Sequence, residues 1–169
     1  MLKPLVKEAL KINGELPGVI FIGAIARYFH TGNLRESQDL DFAVIKPLSE
    51  EFLLSKKYNK FTENKKEVWR TPRGIKIDAY TKDVSGIPIN LIIKTATKFK
   101  IGKDVVTVIG LEALIVAKSR AQRDADIDDL RILARLKSKE IRWDVLKTIT
   151  KDDTEYQTVK MTMDFLAKQ

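Results

Sequence analysis

At 169 residues the chain has the length for one hydrophobic core, or a core with a helical appendage, and too little for two full domains. It holds no cysteine, which excludes disulfides, thiolate zinc sites and a cysteine nucleophile. Thirty-one Lys and Arg against 23 Asp and Glu give a net charge of +8, which favours anionic partners such as nucleotides and RNA, although a Lys- and Glu-rich chain also fits a thermophilic host. The longest apolar run, 87–93, is broken by Pro88 and Asn90 and falls short of the roughly 20 residues of a membrane helix. Met1-Leu2-Lys3-Pro4 lacks the apolar centre of a signal peptide, so the expectation is a cytoplasmic protein with no membrane partner.

Leu5 to Ile12 has apolar residues at helical spacing, with a stop expected at Asn13-Gly14. Val19 to Ile22 is a continuous apolar, β-branched run between Gly18 and Gly23, the pattern of a strand buried on both faces. Ala24 to Phe29 follows as a helix closed near Gly32. Leu40 to Ile45 is the next strand, ended by Lys46-Pro47, and Ser49 with Glu50 and Glu51 opens a helix towards Lys57. Lys66 to Arg70 and Ile75 to Tyr80 form a hairpin across Thr71-Pro72-Arg73-Gly74. Ile89 to Ala96 is expected to be helical, and 99–101 with 105–108 a small hairpin around Gly102-Lys103-Asp104.

The remainder reads as helix. Leu111 to Ser119 forms one, and Ile127, Leu130, Leu133 and Leu136 stripe another, with Asp126 at its N-cap and Asp129 three residues on. Ile141, Val145, Leu146 and Ile149 mark a third. Thr150 and Asp153 open the last, with Tyr156, Val159, Met163 and Phe165 towards its buried side. The fold class is α+β, with a core over 1–109 and a helical part over 110–169 packed on it as one unit.

Asp39-Leu40-Asp41 carries the chemistry. Side chains alternate along a strand, so Asp39 and Asp41 leave one face together while Leu40 and Phe42 take the other. Two like charges so close raise each other's pKa unless a cation sits between them, and for carboxylate oxygens that cation is Mg²⁺ or Mn²⁺. Asp78, between Ile77 and Ala79, brings a third carboxylate on a later strand.

Phe21-Ile22-Gly23-Ala24, Arg35 to Phe42 and Ile77-Asp78-Ala79 together resemble the signature of the polymerase-β-like nucleotidyltransferase superfamily: an apolar Gly turn, an Asp-x-Asp strand and a later acidic residue. Gly110 to Lys118 and Arg123 to Leu130 look like the AbiEii-type nucleotidyltransferases of toxin and abortive-infection systems. That resemblance implies a nucleotidyltransferase core with a short mixed sheet, flanking helices and a helical C-terminal part. It implies Mg²⁺-dependent transfer of a nucleoside monophosphate from an NTP to a hydroxyl, with RNA or tRNA the favoured acceptor and an antitoxin protein as a further partner. Asp39, Asp41 and Asp78 would hold the metal, and Asp78 or water would take the hydroxyl proton. Gly23 and Ala24 would cradle phosphate at a helix N-terminus, where Ala24 departs from the family's Gly or Ser and brings no hydroxyl. Arg27, Ser37 and Lys118 would meet the triphosphate, and Asp126 would position it or the acceptor.

Plainer readings stand beside these. Lys118 would snorkel to solvent from an apolar helix, Asp126 would be only an N-cap, and Arg35 and Ser37 would be loop residues. His30, the one histidine, would lie on the surface at a helix end. Trp69 and Trp143 would pack in the core. Lys56-Lys57 and Lys65-Lys66 would be solvated faces or would track an RNA acceptor. A catalytically silent nucleotide- or RNA-binding protein is the alternative to an enzyme.

Overall fold

In the computed structural model, which describes residues 1–169, the apolar runs assemble around one mixed sheet. Helix α1 (Pro4–Glu15) starts with Pro in its first turn, where the missing N–H costs nothing. Strand β1 (Val19–Phe21) leads through Gly23 into α2 (Gly23–Thr31), which Gly32 closes in the left-handed conformation at φ 75°. Strand β2 (Asp39–Val44) is followed by α3 (Glu50–Ser55), whose N-cap Ser49 accepts a 3.1 Å hydrogen bond from the Phe52 amide. Strands β3 (Asn59–Glu63), β4 (Lys66–Arg70) and β5 (Lys76–Tyr80) then form a meander.

A two-stranded ribbon, β6 (Asp83–Val84) with β7 (Ile87–Pro88), precedes α4 (Ile89–Thr95). Strands β8 (Thr97–Ile101) and β9 (Asp104–Val108) close the sheet. The helical part is α5 (Leu111–Ala121), α6 (Asp124–Lys137), a 3₁₀ turn (Ser138–Glu140), α7 (Trp143–Ile149) and α8 (Asp153–Ala167).

The seven main strands lie in the order β3-β4-β5-β2-β1-β9-β8. β1 runs antiparallel to β2 and parallel to β9, while β2 runs parallel to β5 with Asp41 opposite Asp78. One core cluster of 39 buried residues reaches from Val6 to Leu166 and joins sheet and C-terminal helices. Phe21 and Phe42 meet edge to face at its centre, 6.1 Å between ring centroids.

Several expectations need correction. α1 continues through Asn13-Gly14 to Glu15, since its buried face extends to Leu16. Strand β3 was unexpected because only Phe61 in it is strongly apolar, and the left-handed turn at Asn64 and Lys65 (φ 48° and 63°) lacks glycine. The 97–108 hairpin does not stand apart but extends the main sheet through β1. α6 begins earlier than expected, with Arg123 as N-cap, so Asp126 sits at the third helical position. Asp152, not Thr150, caps α8. Phe165 is 64% exposed and Leu166 takes the buried place. His30 is buried and donates from Nε2 to the Ile109 carbonyl at 2.7 Å, tying α2 to the start of α5. Burial holds its pKa below the ordinary histidine value. Trp69 and Trp143 are half-buried against the core.

Candidate active site

The site is built where β1 ends beside β2. Ile22 donates its amide to the Asp41 carbonyl at 3.0 Å, which fixes the Gly23 turn against the second aspartate. Gly23 has φ 62°, and a Cβ there would lie 2.9 Å from Asp41 Oδ2, so both conformation and contact call for glycine. The carboxylate thus rests against the first turn of α2. Ala24 is buried behind it.

Asp39 and Asp41 leave the same face of β2, and the parallel register sets Asp78 on β5 next to Asp41, about 4.8 Å away along the sheet. Asp41 feels this. Burial first, then the charges of Asp78 and Asp39, raise its pKa to about 6, with Lys118 pulling the other way. The donor set is all carboxylate oxygen, and its mutual repulsion is what a hard cation relieves, which fits Mg²⁺ or Mn²⁺. As the side chains stand, no three acidic or imidazole groups close around one point, so ligation would require rotation of the half-exposed Asp39 and exposed Asp78.

Opposite the carboxylates lies a buried ionic network on α2, α5 and α6. Lys118 Nζ donates a hydrogen bond to Asp126 Oδ1 at 2.9 Å and forms an ion pair with Asp129 Oδ2 at 2.8 Å without hydrogen-bonding it. Arg27 donates to Asp129 Oδ1 at 2.6 Å and also holds Asn33. Arg35 Nε approaches Asp129 at 3.5 Å, and Arg123 Nε donates to Asp126 Oδ2 at 2.7 Å. Four cations therefore surround two fully buried carboxylates, leaving a positive excess beside the α2 N-terminus. Burial would raise the pKa of Asp126, but hydrogen bonds from Arg123 and Lys118 outweigh it and hold the group below the ordinary range. Lys118 does not snorkel; it is 7% exposed and neutralised in place.

Gly23, Asp41, Lys118 and Asp126 share one cleft with Tyr80 and Arg123. Its volume is about 90 Å³, below the roughly 300–1,000 Å³ of pockets that enclose a small ligand. Asp39 and Asp78 stand at its margin on the sheet. Ser37 is turned inwards: its hydroxyl donates to the Asp39 carbonyl at 2.9 Å and accepts from the Asp39 amide at 3.3 Å, so it braces the strand entrance. Tyr80 is a cleft residue that strand alternation places with Asp78, although no motif marks it. Burial, then Asp41 and Asp78, raise its pKa. Asp129 is not part of a cap: its spacing of three from Asp126 puts both on one face of α6, where it meets Arg27 and Lys118.

A family model described as "Nucleotidyl transferase of unknown function (DUF2204)" matches residues 8–161. Among solved structures, the chain is similar to an antigenic nucleotidyltransferase-like protein from Paracoccidioides brasiliensis. The TM-score is 0.57 at 12% identity, over 96% of this chain and 85% of that one. It is also similar to JHP933 from Helicobacter pylori, with a TM-score of 0.52 at 14% identity over 97% of this chain and 90% of that one. Identities this low show a shared fold and no more. No curated protein matches the chain.

Proposed function

The chain belongs to the nucleotidyl transferase family whose model spans residues 8–161, and from that premise we propose that it transfers a nucleoside monophosphate from an NTP to a hydroxyl acceptor. The observation that carries this reading is the Asp41–Asp78 pair, with Asp39 beside it, set against the Gly23 turn. In the reaction the acceptor oxygen bonds to the α-phosphorus, the bond from that phosphorus to the bridging oxygen breaks, and pyrophosphate leaves with the electron pair. The hydroxyl proton passes to Asp78, the exposed member of the pair, or to water. Asp39, Asp41 and Asp78 would hold Mg²⁺ or Mn²⁺, which when bound supplies charge stabilisation at the phosphate and a more acidic hydroxyl. The backbone at Gly23 and Ala24 faces phosphate at the α2 N-terminus, and the positive excess around Arg27, Lys118 and Arg123 favours the triphosphate.

Label transfer from each α-³²P NTP, with Mg²⁺ or Mn²⁺, into the RNA and protein fractions of a cell extract tests the reading. Incorporation by the wild type that is lost in Asp41→Ala is expected; equal incorporation by both would sink it. The AbiEii-type likeness of 110–130 adds a toxin-like role opposed by an antitoxin, checked by growth arrest on expression alone. A second reading, a catalytically silent nucleotide or RNA binder, is favoured by the narrow cleft, by the engagement of Lys118 and Arg27 with Asp126 and Asp129, and by the missing hydroxyl at Ala24. NTP binding without turnover is its signature.

A further inference from the structure

The transfer reading sends Lys118 to the triphosphate, yet in the resting protein this lysine is already engaged. Its Nζ donates to Asp126 Oδ1 at 2.9 Å and lies 2.8 Å from Asp129 Oδ2. A cation drawn from this network towards phosphate leaves two fully buried carboxylates short of one charge, and an uncompensated charge in that setting is strongly unfavourable. Its release therefore depends on what takes its place.

The two carboxylates differ in what they would keep. Asp126 retains Arg123, whose Nε donates to Oδ2 at 2.7 Å, whose Nη2 donates to Oδ1 at 3.3 Å and whose amide donates to Oδ2 at 3.3 Å. Asp129 retains Arg27, which donates to Oδ1 at 2.6 Å, while its Oδ2 accepts no hydrogen bond. Beside it stands a donor in the same condition. Arg35 Nε is buried without a hydrogen-bond partner, 3.5 Å from Asp129 Oδ1, and Asp129 is the one carboxylate within ion-pair distance of it. A buried donor and a buried acceptor left unjoined side by side are each costly. A movement of about 0.6 Å would bring Arg35 to the ordinary N–H···O distance, where Nε and an Nη can fork across both oxygens. Arg35 has room for it: the residue sits in the loop before β2, its side chain is 34% exposed, and it lines an open cavity of about 780 Å³ beside α1.

Resting on the transfer reading, we propose that Arg35 is a positioning residue that exchanges with Lys118 on Asp129. When a triphosphate enters, Lys118 Nζ leaves Asp126 and Asp129 for phosphate oxygen, and Arg35 closes on Asp129 with Nε on Oδ1 and an Nη on Oδ2. Arg123 holds Asp126 throughout. Both buried carboxylates keep a cation in both states, so the lysine is released without stranding either. The engaged Lys118 is then the resting arrangement of a triphosphate site.

Calorimetric titration with Mg²⁺ and inorganic triphosphate, the group common to all four NTPs, tests the exchange without an acceptor. Arg35→Gln is expected to weaken binding about tenfold, the scale of one hydrogen bond to a charged group gained only in the bound state. Its urea midpoint without ligand should stay at the wild-type value, since Arg35 makes no hydrogen bond to Asp129 there. Asp129→Asn removes the charge that needs a replacement, so in that background Arg35→Gln should cost no further affinity. If Asp129→Asn fails to fold, Lys118→Gln serves instead, because with no lysine to move the Arg35 contact is the same with and without ligand. A further tenfold loss in either background puts Arg35 on the phosphate and overturns the exchange. Wild-type affinity in Arg35→Gln overturns it too, as does a ligand-free urea midpoint that falls, the mark of a static ion pair. Label transfer by the same proteins separates the two readings. Triphosphate binding that depends on Arg35 without transfer overturns transfer alone, whereas transfer by Arg35→Gln at the wild-type KM for NTP overturns only the exchange.

Discussion

At Asp41, burial and the charges of Asp78 and Asp39 lift the pKa from 3.8 to about 6. In that window the folded chain holds a proton that the unfolded chain has released, so stability falls as pH rises from about 4 to about 6 and stays lower above it. Asp41→Asn removes the buried charge and should stabilise the metal-free protein at pH 8 by about 1–2 kcal/mol, allowing for solvent screening. Urea unfolding at pH 8 and pH 4 checks this, with the difference vanishing at the lower pH. Added Mg²⁺ should raise the melting temperature of the wild type and leave Asp41→Asn unmoved. The same residue would thus destabilise the resting protein and serve its chemistry. Asp129, by contrast, is a fully buried carboxylate that meets the charges of Arg27 and Lys118, so removing either partner would leave a buried charge uncompensated.

At the scale of elements, close packing of helix ends sets the frame. Gly110, the N-cap of α5, has its Cβ direction filled by the Thr95 carbonyl at the end of α4, 2.1 Å away. Because that obstacle is backbone, Gly110→Ala must push α4 and α5 apart and should cost about 2 kcal/mol or more. Gly102→Ala, in the open β8–β9 turn with φ 60°, meets no atom and should cost only about 1 kcal/mol of backbone strain. Chemical denaturation of the pair ranks them; equal losses would show that the α4–α5 junction yields freely. Elements with a buried periodic face, such as β1, β2 and α5, were legible from their residues. Strand β3 was not, because an exposed edge strand owes its place to pairing with β4 rather than to its own apolar pattern.

Across the whole molecule, the core joins Val6 of α1 to Leu166 of α8, with Phe21 and Phe42 of the sheet and Leu114 and Leu133 of the helices in the same cluster. A continuous core predicts cooperative loss. Calorimetry should show one transition with matching calorimetric and van't Hoff enthalpies, and residues 1–109 alone should lack it, because Ile22 and Ile109 would lose Leu114 and Ala117 as neighbours. Two resolved transitions would instead separate sheet and helices. No helix is long and apolar enough to cross a membrane.

By itself the sequence determined which residues of β2 share a face, where glycine must turn the chain into α2, and that Asp39, Asp41 and Asp78 lie on strands. Those are local matters of alternation and backbone freedom, settled within a few residues. Only the tertiary structure decided that β5 runs parallel beside β2 with Asp78 opposite Asp41, that Lys118 and Arg27 are held by Asp126 and Asp129, and that Tyr80 shares the cleft. Arg27 and Asp129 are 102 residues apart, and a pairing at that distance follows from how helices pack on the sheet, which no local pattern encodes.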